Sequence, residues 1–335
     1  MSATIRDVAQ AAGVSPATVS RVLNGKVEVA EELSRRVREQ VELLGYRPNG
    51  LARSLRMRAT QVLGVVISDV TNPFFTSMVR GIEDQAQQAG YSVVLANSDE
   101  DLDKERRYLE VAAAEQMAGV VLSPSSSRRT DVSVLQRHGI PVVTVDRQLH
   151  ATPVDSILID NHLMARLATE HLLAQGCRRI AFVSGPRATT TGQRRLAGYR
   201  AALRAAGSTV DDDLVKRANF RVEGGYQATL ELLDRRRRPD GLLVSNNLMA
   251  LGALLALQER EIDLPAELAF ASFDGISWAR ALRPTLTVVE QPTYEIGRQA
   301  AELLLERITS PDGIHPRKVV LSAELRVGES SLRRG

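Results

Sequence analysis

The sequence holds a single cysteine, Cys177, which excludes a disulfide framework and a cysteine metal site and suits a reducing compartment. Long hydrophobic runs are also missing. The longest, Leu248 to Leu257, is ten residues, against roughly 20 for a membrane span. The opening MSATIRDVAQ lacks the apolar stretch of a secretory signal. A cytoplasmic protein with no membrane association is therefore expected. The five histidines show no metal-ligand spacing, and the HExxH pattern is absent. Neither a G-x-x-x-x-G-K-S/T loop nor a G-x-G-x-x-G fingerprint is present, so no phosphate cradle is recognisable. No cofactor and no metal site are expected.

What is present is ordinary in amount and uneven in distribution. The 335 residues suit two or three domains, and 44% hydrophobic with 25% charged content is usual for a globular protein. Residues 1–61 hold ten Lys/Arg and six Asp/Glu, while the remainder holds 33 and 34. The positive excess thus lies wholly at the N-terminus. Between Leu43 and Ser68 stand Arg47, Arg53, Arg56 and Arg58 with no acid. That is the footprint of phosphate-backbone binding, or, read blandly, a solvated basic face.

Residues 4–24, TIRDVAQAAGVSPATVSRVLN, organise the chain. Thr4 can cap a helix, with Asp7 three residues on. Ile5, Val8, Ala9 and Ala12 fall on one helical face. Gly13 ends that helix, and Ser15 with Pro16 starts the next as cap and first residue. Val19, Val22 and Leu23 can pack back on the first helix. Two short helices around a tight glycine turn form a helix-turn-helix, whose second helix enters the DNA major groove. Pro16, Ala17, Thr18, Ser20 and Arg21 would face outward.

This stretch resembles, almost residue by residue, the headpiece of the LacI/GalR family of bacterial transcription repressors. The resemblance implies DNA contacts from Thr4, Ser15, Pro16, Ala17, Thr18, Ser20, Arg21 and Asn24. A third helix is predicted from Ala30 to Leu44, with Leu33, Val37, Val41 and Leu44 as its buried stripe. Ala30 is a poor cap where the family usually has Ser, a departure that costs about 1 kcal/mol. Residues 46–60 read alone as a flexible basic linker. The resemblance makes part of them a hinge helix that folds on the operator, contacting DNA through Asn49, Ala52, Leu55 and Arg56. Leu55 would wedge between base steps in the minor groove.

From Val62 the pattern changes to short apolar runs alternating with helical stretches. Strands are predicted at 62–67, 92–96, 119–122, 142–145, 179–183, 241–244, 268–271 and 285–289. Helices are predicted at 74–89, 104–116, 163–174, 193–205, 224–233, 249–259 and 296–307. Such alternation means parallel sheets covered on both faces, and nearly 270 residues of it imply two doubly wound lobes. The fold class is α/β, with an N-terminal all-α helix-turn-helix headpiece and a two-lobed core that resembles periplasmic binding proteins. The boundaries expected are 1–47 for the headpiece, 48–61 for the hinge and 62–335 for the core. By the resemblance the N-lobe holds 62–160 and 292–321, and the C-lobe 161–291 and 322–335.

In such sheets ligands bind beyond the carboxyl ends of the strands. After the first strand stand Asp69, Asn72, Phe74 and Phe75, and after the fourth stand Asp146 and Arg147. The resemblance adds Thr191, Arg195, Phe220, Asn246 and Asp274 from the C-lobe. Arg195 matches an arginine that grips ligand oxygens, Phe220 an aromatic that stacks, and Asp274 an acceptor for sugar hydroxyls or a base. Asn247 stands where the family pattern N-D-x-M-A has Asp, which removes one anionic acceptor. The run Arg235–Arg238 ends a helix and reads as a solvated face.

The function expected is a transcriptional repressor, not an enzyme. It would sit as a homodimer on double-stranded, near-palindromic operator DNA. A small-molecule effector, with a sugar or polyol favoured and a nucleobase second, would control it from between the lobes. No heptad repeat follows the core, which favours a dimer over a tetramer. A sugar kinase with a DNA-binding appendage lacks its phosphate cradle, and a pure carrier would not need the headpiece.

Overall fold

The computed structural model describes residues 5–23, 30–45, 60–275, 282–310 and 315–333. The chain forms two compact units, Met1–Thr60 and Gln61–Gly335.

The first unit holds helices α1 (Ile5–Ala12), α2 (Pro16–Leu23) and α3 (Glu31–Leu43). Val8, Ala9, Ala12, Val19, Val22 and Val37 form its core, with Val14 and Val41 packed against them. Gly13 turns α1 into α2 at φ +65°, a conformation that a side chain disfavours. Arg36 donates from α3 to the Ala12 carbonyl, which closes the end of α1. Ser15 Oγ accepts from the Thr18 amide at 3.1 Å and caps α2. Ala30 precedes α3 without any side-chain cap bond. The predicted stripe of α3 needs one correction. Leu44 is the C-cap, past the last turn, and is exposed.

The second unit contains, in order, β1 (Val62–Ile67), α4 (Pro73–Gln88), β2 (Ser92–Asn97), α5 (Leu102–Ala114), β3 (Gly119–Leu122), α6 (Ser133–Arg137), β4 (Val142–Val145) and β5 (Asp155–Ile159). Next come α7 (Asn161–Ala174), β6 (Ile180–Ser184), α8 (Thr190–Ala205), β7 (Val215–Arg217), α9 (Val222–Leu233), β8 (Gly241–Val244), α10 (Asn247–Glu259) and β9 (Ala269–Phe273). The chain ends with β10 (Thr287–Glu290), α11 (Thr293–Thr309), β11 (Lys318–Leu321) and β12 (Glu324–Arg326).

Two six-stranded sheets result. One has the order β11-β5-β4-β3-β1-β2 and the other β12-β10-β9-β8-β6-β7. All pairings are parallel except β10 with β12. The central strands are buried along their length, because helices cover both faces. The chain passes between sheets after β5, after β10 and after β11. Four strands, β5, β7, β11 and β12, and the five-residue α6 were not foreseen from the sequence pattern. Three of those strands lie at sheet edges, where short segments carry little hydrophobic signal.

Candidate functional site

The carboxyl ends of both sheets converge on one tight cavity, with about 20 Å³ open to the centre of a water-sized sphere. That is room for about one water molecule as the lobes stand. Ten of the residues expected there line it: Asp69, Asn72, Phe74, Phe75, Arg147, Thr191, Arg195, Phe220, Asn246 and Asp274. Asn247, the eleventh, does not.

The N-lobe wall begins at the end of β1. Asp69 Oδ1 accepts from the Thr71 amide and hydroxyl at 3.0 and 2.7 Å, which fixes the turn into α4. Asn72 caps α4 by accepting from the Phe74 amide at 3.0 Å. Phe74 and Phe75 follow at once, meet edge to face with centroids 5.0 Å apart, and are both buried. Arg147 follows β4 and is almost wholly buried. Its two terminal nitrogens donate to the two carboxylate oxygens of Glu100, each at 2.6 Å. Burial disfavours the charge on Arg147, but Glu100 outweighs this and holds the guanidinium above its ordinary pKa.

The C-lobe wall is built at the ends of β6, β8 and β9. Arg195, on the second turn of α8, donates Nε to Asn161 Oδ1 at 2.6 Å and Nη1 to the Ser245 carbonyl. Its guanidinium carbon lies 4.0 Å from the centre of the Phe273 ring, a cation–π contact. Asp274 Oδ2 stands 3.7 Å from Arg195 Nη1, and Asp274 Oδ1 accepts from Gln291 at 2.5 Å. Burial pushes the Asp274 carboxyl up to about 6, against the pull of Arg195 and Gln291. Asp146 is likewise raised by burial, with Arg147 opposing. Phe220 packs over Gly185, where a Cβ would come within 2.1 Å of the ring, so residue 185 must stay bare. Asn246 caps α10 and donates to the Phe220 carbonyl at 3.0 Å, which orients that loop.

Backbone conformation marks the same place. Among the described residues, Glu100, Asp146, Phe220 and Asp274 line the cavity at φ of +61°, +64°, +63° and +65°. Side chains larger than glycine adopt this region at a cost, and such residues cluster where geometry serves function.

The lobes meet across the cavity through polar bridges. Arg221 donates from the C-lobe to Asp69 Oδ2 at 2.8 Å and to Asp99 Oδ1 at 3.4 Å. Asn247 donates to Asn72 Oδ1 at 2.8 Å, so its amide joins the lobes instead of facing the cavity. The Thr190 amide donates to Ser127 Oγ at 2.9 Å on a further part of the seam. Sequence reasoning missed Glu100 and Arg221. Glu100 sits in the acidic run SDEDLDKE, which reads as solvated surface, and nothing in that run marks it.

In the first unit, Ser15, Pro16 and Arg21 are exposed and Thr18 is half-buried, held by Ser15. The side chains of Ala17 and Ser20 lie outside the described residues, as do Thr4, Asn24, Asn49, Ala52, Leu55 and Arg56. Arg235 pairs with Asp213 at 3.1 Å, and Arg238 donates to the Leu233 carbonyl at the end of α9. Among the described residues no cluster of His, Cys, Asp and Glu could hold a metal, and no helix is long and apolar enough to cross a membrane.

Comparison with known proteins agrees with both units. Residues 4–49 match the model of bacterial regulatory proteins of the lacI family. Residues 60–326 match that of periplasmic binding proteins and the sugar binding domain of the LacI family. The ribose operon repressor of Halalkalibacterium halodurans is 36% identical over 333 residues, 98% of each chain. The lac repressor dimer bound to operator and the anti-inducer ONPF superposes with a TM-score of 0.86 at 25% identity, covering 99% of this chain and 100% of that one. A LacI family transcriptional regulator from Enterococcus faecium with bound ribose gives a TM-score of 0.72 at 28% identity, over 80% and 98% of the two chains.

Proposed function

The chain belongs to the LacI family of bacterial regulatory proteins, and on that premise we propose that the cavity between its lobes is the effector site and that the effector is a sugar or related polyol. The protein is a DNA-binding transcriptional repressor, not an enzyme. It acts as a homodimer on operator DNA in the cytoplasm, with Pro16, Thr18 and Arg21 of each helix-turn-helix directed to one half-site.

One observation carries the effector reading. A cavity walled by both lobes joins a guanidinium, buried carboxylates and aromatic faces. Guanidinium and carboxylate together suit hydroxyl groups, which both donate and accept. Aromatic faces suit the apolar side of a sugar ring. Relatives add support, being ribose repressors or a regulator with bound ribose.

The mechanism follows from the bridges across the cleft. Asp69–Arg221 and Asn72–Asn247 tie the lobes together. A ligand that contacts both walls biases their closure, and the DNA-binding unit reads that bias. Coupling is reciprocal, so operator must change ligand affinity by the same factor as ligand changes operator affinity. We take the effector as an inducer, which releases DNA, because most sugar-responsive members of the family work that way. A mobility-shift assay on full-length protein, with a palindromic operator and a panel of sugars, tests this. Release of operator but not of random DNA by one sugar is expected; turnover of ATP with any sugar would argue for an enzyme.

A further inference from the structure

The cavity carries more acid than base. Asp69, Glu100, Asp146 and Asp274 face it, and every arginine on its wall already meets a carboxylate. Arg221 is taken by Asp69 and Asp99. Arg195 is taken by Asn161 and the Ser245 carbonyl, with Asp274 at 3.7 Å. Arg147 keeps only Nε without a hydrogen bond. Both terminal nitrogens go to Glu100, and Nη1 also donates to the Pro124 carbonyl at 3.0 Å.

Two carboxylates on the wall are left short of donors. Asp274 Oδ2 has only the distant Arg195, and the buried Asp146 carboxylate has only an ion pair at 3.3 Å with Arg147 Nε, out of hydrogen-bond line. Buried carboxylates short of donors are costly, and a ligand that brings O–H groups relieves the cost. A ligand that brings a phosphate or carboxylate adds acceptors and negative charge where both are in surplus.

Glu100 reaches this position by a specific device. Asp99 and Glu100 both have positive φ, +54° and +61°, in the loop between β2 and α5. This double turn sends Asp99 to Lys104 and Arg221, and Glu100 to Arg147. The backbone cost is borne at a residue whose side chain pairs with Arg147, the arginine that stands 5.5 Å from the Phe220 ring centre.

We propose that Glu100 is the charge selector of the effector site: by occupying Arg147 it restricts the effector to a neutral, hydroxyl-rich monosaccharide or polyol and shuts out phosphorylated and acidic sugars. This rests on the reading of the cavity as the effector site. Glu100→Gln keeps the size of the side chain and removes its charge. It thereby frees the two terminal nitrogens of Arg147 from a carboxylate and leaves the guanidinium only the Asp146 carboxylate, 3.3 Å from Nε.

The test is titration calorimetry on full-length protein, wild type and Glu100→Gln, with neutral pentoses and hexoses, their monophosphate esters and the matching aldonates. Wild type is expected to bind at least one neutral sugar at least about a hundredfold more tightly than its phosphate ester. Glu100→Gln is expected to narrow that ratio by about tenfold or more, chiefly by gaining affinity for the ester. A wild type that binds an ester as well as its parent sugar overturns the selector while leaving the effector site intact. So does an unchanged ratio in a folded Glu100→Gln. Should every compound be silent with wild type, the effector-site reading falls, and the selector with it.

Discussion

Asn247 donates its side-chain amide to Asn72 Oδ1 across the cleft at 2.8 Å, and the acceptor cannot turn away. Asn72 Oδ1 also accepts from the Phe74 amide as the cap of α4, so rotating its amide would break the cap. Asn247 must therefore donate, which the aspartate usual in the family pattern could not do when ionised.

Asn247→Asp should thus weaken closure more than it weakens the fold. Two acceptors would face each other in a buried seam, at a cost of about 1–3 kcal/mol to the closed form. Calorimetric titration should show sugar affinity falling by about tenfold or more, with operator affinity in the absence of sugar retained. Unaltered sugar affinity would remove Asn247 from the closing mechanism.

Asp274 makes stability depend on pH. Burial raises its carboxyl from 3.8 to about 6, although Arg195 and Gln291 favour the charged form; Asp146 adds to the rise. A raised folded pKa means that the native state binds the proton more tightly than the unfolded chain. The contribution is favourable below about 4 and is lost as pH climbs through about 6. Asp274→Asn, which can still accept from Gln291, should have a higher Tm than wild type at pH 8 and a smaller advantage at pH 5. Thermal denaturation of both proteins across that range checks the sign. The same substitution should abolish the sugar response.

Arg195→Ala should separate sensing from DNA binding. The substitution removes the donor to Asn161 and Ser245 and the cation over Phe273. Operator binding should persist while added sugar no longer changes it. A full sugar response in this variant would show that the effector binds elsewhere.

Ala30→Ser should stabilise the first unit. Ala30 offers no side-chain bond to the first turn of α3, where Glu31 and Glu32 already favour the helix dipole. A serine hydroxyl would accept from an amide of that turn, a gain of about 1 kcal/mol. Amide exchange at Glu32 and Leu33 should slow by about fivefold. No slowing would mean the first turn already has other partners.

The sequence showed the alternation of strand and helix because buried parallel strands must be apolar along their length, as in Gly119–Leu122 and Gly241–Val244. Short edge segments such as Val215–Arg217 left no such trace. Residues just past strand ends were legible by the same rule, and Asp69 and Arg147 both lie there. Arg195 and Phe220 came only from family likeness. Glu100 could not be found either way. Its role depends on two successive positive-φ residues that turn an apparently solvated acid inward. Asn247 shows the converse: it follows a strand end, yet the seam takes its amide before any ligand can.

The three passages of chain between the sheets, after β5, β10 and β11, have a mechanical consequence. A pair of bodies joined by one thread can swivel, slide and separate. Tethered at three places, they keep little freedom beyond opening and shutting about the line of the tethers. Whatever energy a captured molecule supplies is then confined to that single motion, so a modest gain in contacts can move the whole second lobe in one direction.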